Sequence, residues 1–193
     1  MNEDAFVSLF FPTVIYEKKS ADLINKEIID KSMSLCKDYG KNSFITKCLT
    51  TVSTFDSVLE LPEFQDIKLF ILESVSEYLN FMKFDSKREY KISGSWLNYY
   101  KPGDLQELHI HHDSMVSGSF YILANEEKDF YIRSPYYNQQ AILPFNEVET
   151  EYNQHTHRII TSPGKLLTFM SSTLHGTIQS DKERLSLSFN IIQ

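Results

Sequence analysis

RLSLSFNI, residues 184–191, is the stretch whose reading decides the fold. Apolar Leu185, Leu187, Phe189 and Ile191 alternate with polar Arg184, Ser186, Ser188 and Asn190. A period of two is the mark of a β-strand with two unlike faces. The polar face has two readings. It can point to water, as on any half-exposed strand, or inward, to receive a ligand. Arg and Ser two positions apart on one face make a carboxylate receptor, because the guanidinium fork takes a carboxylate by two parallel bonds and the hydroxyl adds a third.

Upstream of this strand, short apolar or alternating runs recur around 92–100, 107–112, 117–123, 129–133, 140–143, 157–161 and 165–170, broken by turn signals. With 184–192 they make about eight strands, the pattern of a small antiparallel sandwich or jelly roll. The first half of the chain has a different texture. FFPTVIY (10–16) reads as a strand. A helix is expected from Ser20, its cap, to about Tyr39, with Ile24, Ile28, Leu35 and Tyr39 roughly on one face. A second helix should start near Pro62 and run to about Met82, its apolar Phe64, Ile67, Ile71, Val75, Tyr78 and Met82 spaced by threes and fours. Residues 41–58, rich in Ser and Thr, read as irregular or partly extended.

The expected architecture is therefore α+β, a jelly-roll core with N-terminal helices packed on it. At 193 residues the chain is the size of one domain. Residues 1–90 would be mainly helical support and 91–193 the core, with no linker near 83–91. A chain of this length buries about 70% of its unfolded surface and needs no disulfide or structural metal to fold. The lone pair Cys36 and Cys48 agrees, having no metal-type spacing. A formal charge of -7 without basic runs argues against a nucleic-acid partner. MNEDAFVSLFFP at the start resembles neither a signal peptide nor a membrane span, so a cytoplasmic setting is the default expectation. Nothing in the sequence reads out an oligomeric state.

The histidines carry the chemical signal. Five of the six fall in two tight groups, at 109, 111, 112 and at 155, 157. On a strand, His109 and His111 would share a face and could present imidazoles to one metal ion. A third ligand from a distant strand would leave coordination positions open, and His175, in TLHG, is the natural candidate. Each histidine also has a plainer reading as a solvent-facing or packing residue. His155 and His157 follow a polar run and read as part of an exposed hairpin.

Taken together, HIH (109–111), SGSFYI (117–122), PGKLLTFMSSTLHGT (163–177) and RLSLSFNI (184–191) resemble the 2-oxoglutarate–Fe(II) oxygenase superfamily. In particular they are similar to oxygenases frequent in marine bacteria and their phages, with the pattern His-x-His, Ser-Gly-x-Tyr-Tyr, a strand ending in His, then Arg-x-Ser-x-x-Phe-Asn. WLNYYKPGD (96–104) and FFPTV fit the same family and the related prolyl hydroxylases. Each piece alone is weak; four in the right order and spacing are much stronger.

The resemblance implies a double-stranded β-helix. It also implies iron held by His109, His111 and His175, with 2-oxoglutarate as co-substrate. Arg184 would bind the far carboxylate of 2-oxoglutarate with Ser186 assisting, and Tyr121, Tyr100 and Asn98 would line the same pocket. The chain departs from the superfamily's usual His-x-Asp/Glu, because His111 stands where the acid is expected. A shifted register, His111 with Asp113 and His109 displaced from the metal, stays open on the sequence.

The implied reaction is hydroxylation of a C–H bond by dioxygen, with release of succinate and CO2, on a substrate the sequence does not identify. Residues 126–160 are expected to supply loops over the site. The alternatives are a catalytically silent metal- or ligand-binding jelly roll and a three-histidine dioxygenase independent of 2-oxoglutarate.

Overall fold

The computed structural model describes residues 6, 8, 10–42, 47–85, 87–136 and 147–193. Its elements are β1 (Ile15–Lys19), α1 (Lys26–Tyr39), β2 (Lys41–Asn42), β3 (Leu49–Thr50), α2 (Gln65–Phe81), β4 (Lys91–Tyr100), β5 (Gln106–His109), β6 (Val116–Leu123), β7 (Phe130–Arg133), β8 (Thr156–Ile159), β9 (Lys165–Met170), β10 (His175–Thr177) and β11 (Arg184–Ile192). They form a seven-stranded sheet in the order β1-β9-β6-β11-β4-β3-β2 and a four-stranded sheet in the order β5-β10-β7-β8. Every pairing between these strands is antiparallel. This is the double-stranded β-helix with N-terminal helices on one face, as the sequence predicts.

The alternation in β11 assigns its two faces to two different environments. Leu185, Leu187, Phe189 and Ile191 pack with Ile67, Ile71, Val75 and Tyr78 of α2 and Ile28 and Leu35 of α1 in one apolar core. Each such side chain contributes roughly 1.5–3 kcal/mol by leaving water. The polar face is not solvated. Arg184, Ser186 and Ser188 are 2%, 5% and 6% exposed, turned toward the small sheet, which excludes the half-exposed strand. Gly118 of β6 is required on the helix side: a Cβ there would stand 2.4 Å from the Phe189 ring and 2.4 Å from the carbonyl of Leu167.

The chain passes from the large sheet to the small one at Lys101-Pro102-Gly103-Asp104. The Asp104 N–H donates to Lys101 O at 2.9 Å and Gly103 has φ +87°. Pro second and Gly third with positive φ is the chemistry of a type II turn.

Element boundaries differ from the sequence reading in places with clear causes. Phe10 and Phe11 are exposed and β1 begins only at Ile15, where pairing with β9 starts. α1 is capped by Asn25, whose side chain accepts from Ile28 N at 3.0 Å; Ser20 precedes a single 3-10 turn, Ala21–Leu23. Pro62 opens another 3-10 turn before α2. Residues 1–90 are more than helical support, because β1, β2 and β3 all join the large sheet. β10, three residues long, is too short to show a period in sequence. The strand expected at 140–143 lies outside the described residues.

Candidate active site

Antiparallel pairing of β5 with β10 sets His109 directly opposite His175. His111 arrives differently from expectation. It lies two residues beyond β5, where its N–H donates to Ser171 O at 2.9 Å. The three rings nevertheless converge, with centroids 4.3 Å apart for His109–His175, 5.2 Å for His109–His111 and 5.3 Å for His111–His175. One nitrogen from each ring lies within 4.8 Å of the others.

The outward nitrogens are all engaged by oxygen acceptors. Nδ1 of His109 meets Glu107 O at 2.9 Å, Nδ1 of His111 meets Asn190 Oδ1 at 2.6 Å, and Nδ1 of His175 meets Thr173 O at 2.8 Å. Each Nδ1 therefore carries the proton, and each Nε2 presents a bare lone pair to the common centre. Nε2 of His109 and of His111 stand only 3.2 Å apart. Lone pairs so placed repel unless a cation lies among them, so the donor set fits a divalent metal. Burial keeps the rings in the neutral, ligating form: it lowers the pKa of His109 and His111, and with His109 nearby pushes His175 down to about 3. His175 is wedged between Phe130 and Phe169.

Asp113 does not join this cluster. It is exposed at the cavity rim beside exposed His112, so the shifted register His111–Asp113 is not the arrangement formed. His157 is exposed on β8, at the far edge of the small sheet. Of the 126–160 residues described, only Phe130 reaches the cavity wall.

The cavity between the sheets has a volume of about 440 Å³. Its floor is the polar face of the large sheet, tied strand to strand. Thr50 donates to Asn98 Oδ1 at 2.7 Å, Asn98 donates to Ser188 Oγ at 3.0 Å, and Ser188 meets Ser119 at 3.1 Å. A second group secures His111: Ser117 donates to Asn190 Oδ1 at 2.7 Å, meets Ser171 at 2.7 Å and lies 3.1 Å from His111 Nδ1.

At the inner end, Tyr100, Tyr121, Ser186 and Thr177 form the wall. Burial raises the pKa of both tyrosines, which therefore stay neutral hydroxyls. Arg184 is not on the wall but lies against it, its guanidinium 4.7 Å from the Tyr100 ring. Nη2 donates to Ile178 O at 2.9 Å. Nη1 stands 2.9 Å from Asp129 Oδ2, both side chains being 2% exposed. That approach is an ion pair without hydrogen-bond alignment, and Nε has no acceptor at all. A buried guanidinium with spare donors beside neutral hydroxyls fits a carboxylate guest.

Three features of this site escaped the sequence reading. Asn190 closed the Arg-x-Ser-x-x-Phe-Asn pattern but was given no role, and Thr50 lay in a stretch read as irregular. Asp129, in the acidic run NEEKD, gave no signal separating it from a solvated loop acid.

The family model described as "Putative 2OG-Fe(II) oxygenase" matches residues 94–190, half of the chain. The chain belongs to this family. Iron(II) and 2-oxoglutarate are accordingly the cofactor and co-substrate of this oxygenase. No curated protein sequence matches it.

Among solved structures the oxygenase is similar to a Pseudomonas putida prolyl-4-hydroxylase, at 16% identity and TM-score 0.59 over 94% of each chain. It is also similar to a viral collagen prolyl hydroxylase from Paramecium bursaria Chlorella virus-1, at 15% identity and TM-score 0.54 over 91% of this chain and 95% of that one. A third similar structure is HygX from Streptomyces hygroscopicus with nickel and 2-oxoglutarate bound, at 10% identity and TM-score 0.60 over 93% and 82%. At these identities the likeness establishes the fold.

Proposed function

We propose that this oxygenase hydroxylates a C–H bond of its substrate, consuming dioxygen and 2-oxoglutarate and releasing succinate and CO2. His109, His111 and His175 would hold the iron. The observation that carries this reading is the convergence of their three bare Nε2 atoms. Bound iron supplies the activation of dioxygen. Arg184, Ser186 and Tyr121 would receive the far carboxylate of 2-oxoglutarate, with Tyr100 closing the pocket over Arg184. Asn98, held by Thr50 and Ser188, would keep the floor in shape without moving a proton. Phe130 and Phe169 flank His175 and exclude water from that side.

The whole chain would act as one oxygenase domain, because the helices and the floor strands share one core. The similar structures differ in what they act on or bind, a viral collagen prolyl hydroxylase and HygX with hygromycin B bound among them. The substrate is accordingly assigned only as a peptide side chain or a small molecule. No Lys or Arg lines the cavity among the described residues, which favours neither phosphate nor nucleic acid. No helix is long and apolar enough to cross a membrane. Cys36 and Cys48 are buried and form no disulfide, which suits a reducing cytoplasm.

The test is succinate formation with Fe(II), 2-oxoglutarate and dioxygen. His175→Ala should abolish it, and Arg184→Gln should raise KM for 2-oxoglutarate on the order of tenfold or more. An Arg184→Gln enzyme with unchanged 2-oxoglutarate dependence would overturn the assignment and favour a three-histidine dioxygenase that does without it.

A further inference from the structure

The buried charges of this chain are few. Among the described residues Asp129 is the only buried acid, Arg184 the only buried Lys or Arg, and they face each other at 2.9 Å. We propose that Asp129 supplies the negative charge that the histidine ligand set lacks. This rests on the reading of His109, His111 and His175 as metal ligands and of Arg184 as the carboxylate receptor.

Three neutral imidazoles add no charge to a divalent metal, and the two carboxylates of 2-oxoglutarate cancel that metal's charge. Arg184 then remains as an uncompensated buried cation, which a low-dielectric interior does not tolerate. Asp129 cancels it. Had a carboxylate stood at position 111, the same neutrality would be reached without Asp129. The negative charge has in effect moved from the metal end of the cavity to the receptor end.

The geometry separates this role from simple anchoring of Arg184. Asp129 is held by other groups: its Oδ1 accepts from Thr161 Oγ1 at 2.6 Å and its backbone carbonyl accepts from Ile178 N at 2.9 Å. Its approach to Nη1 lacks hydrogen-bond alignment, so it neutralises Arg184 while leaving Nε and Nη1 without acceptors. The other acids nearby are engaged elsewhere. Glu127 bonds Lys182 and Ser180, Glu183 bonds Tyr99, and Asp104 accepts from Lys101 N and offers only its backbone carbonyl to Arg184. Asp129 acts through Arg184 and is thus a positioning and charge-setting residue.

The experiment measures the Kd of 2-oxoglutarate by calorimetry in anaerobic Mn(II)-loaded protein. Metal loading is checked separately by chelator competition. One full charge close to the bound dianion changes affinity on the order of tenfold. Asp129→Asn should therefore tighten 2-oxoglutarate, His111→Asp should weaken it, and the double variant should return near the wild-type value. Asp129→Asn that leaves binding unchanged, or weakens it as Arg184→Gln does, would overturn the proposal in favour of a structural anchor. So would a double variant weaker than His111→Asp. If Asp129→Asn does not fold, the His111→Asp arm decides alone: unchanged 2-oxoglutarate affinity with metal retained sinks the idea. Failure of the underlying reading looks different, because Arg184→Gln would then bind 2-oxoglutarate as tightly as wild type.

Discussion

Asn190→Leu replaces the oxygen and nitrogen of a carboxamide by two methyl groups and should be felt at the metal. Asn190 Oδ1 accepts from His111 Nδ1 at 2.6 Å and from Ser117 Oγ at 2.7 Å. Leucine keeps the volume and takes away both acceptor bonds. A buried donor left unsatisfied costs about 1–3 kcal/mol, and loss of the group that orients a metal-ligating histidine typically costs about 10–100-fold in metal affinity. Ser117 Oγ remains 3.1 Å from His111 Nδ1 as a poorer acceptor, which places the expected loss at about 1.5–2 kcal/mol, roughly 10–30-fold. Titration of Fe(II) or Mn(II) against a chromophoric chelator reads this directly, with the melting temperature of the metal-free variant as the control for folding. Asn190→Asp keeps an acceptor and should retain tight binding. Wild-type metal affinity in Asn190→Leu would show that His111 does not depend on this bond for its tautomer, and the reading of three converging lone pairs would fail with it.

Other consequences are as direct. Asp113→Ala should leave metal affinity unchanged, because that carboxylate lies at the rim outside the cluster; a loss above threefold would revive it as a ligand. In the metal-free protein, stability should fall as pH drops below about 6.5. His175 stays neutral in the fold down to about 3, whereas the unfolded chain takes up a proton near the ordinary value. The slope from this residue is about 1.4 kcal/mol per pH unit, and comparing wild type with His175→Gln across pH 7 to 5 should show it flattened in the variant. Gly118→Ala should destabilise by about 1–3 kcal/mol, since its Cβ meets both a backbone carbonyl and the Phe189 ring. Denaturant midpoints read it, and a neutral result would mean that β6 and Phe189 separate freely.

The fold was legible where a period was long enough to count. β4, β6, β9 and β11 were found nearly to the residue, and so was the buried face of α2. What escaped was decided by partners rather than by local pattern. β10 exists because β5 and β7 pair with it, and β2 and β3 extend a sheet edge that no alternation announces. At the site, the sequence reading singled out His109, His111 and His175, and the fold brings these three side chains together. The reasoning for the first pair was incomplete, since His111 lies off the strand and is aimed by Ser171 and Asn190. The polar face of β11 was readable as a face, but only the covering small sheet decides that it points inward. Asp129 was illegible for the opposite reason: an acid among acids acquires meaning only when burial removes the others from consideration.

The histidine cluster straddles two layers. His109 and His175 belong to the small sheet, while His111 is tethered to the large one through Ser171 and Asn190. Between the layers the apolar contact gathers around Tyr121, Phe130, Ile159, Leu167 and Phe169, the Arg184–Asp129 pair adds a buried charged contact, and the site cavity occupies part of the remaining space. A cation bound by all three rings would therefore work as a rivet as well as a reagent. The helix-backed sheet keeps its shape by its own core, and a metal held by all three rings would add one more tie between that sheet and the small one, beside the apolar contact and the Arg184–Asp129 pair.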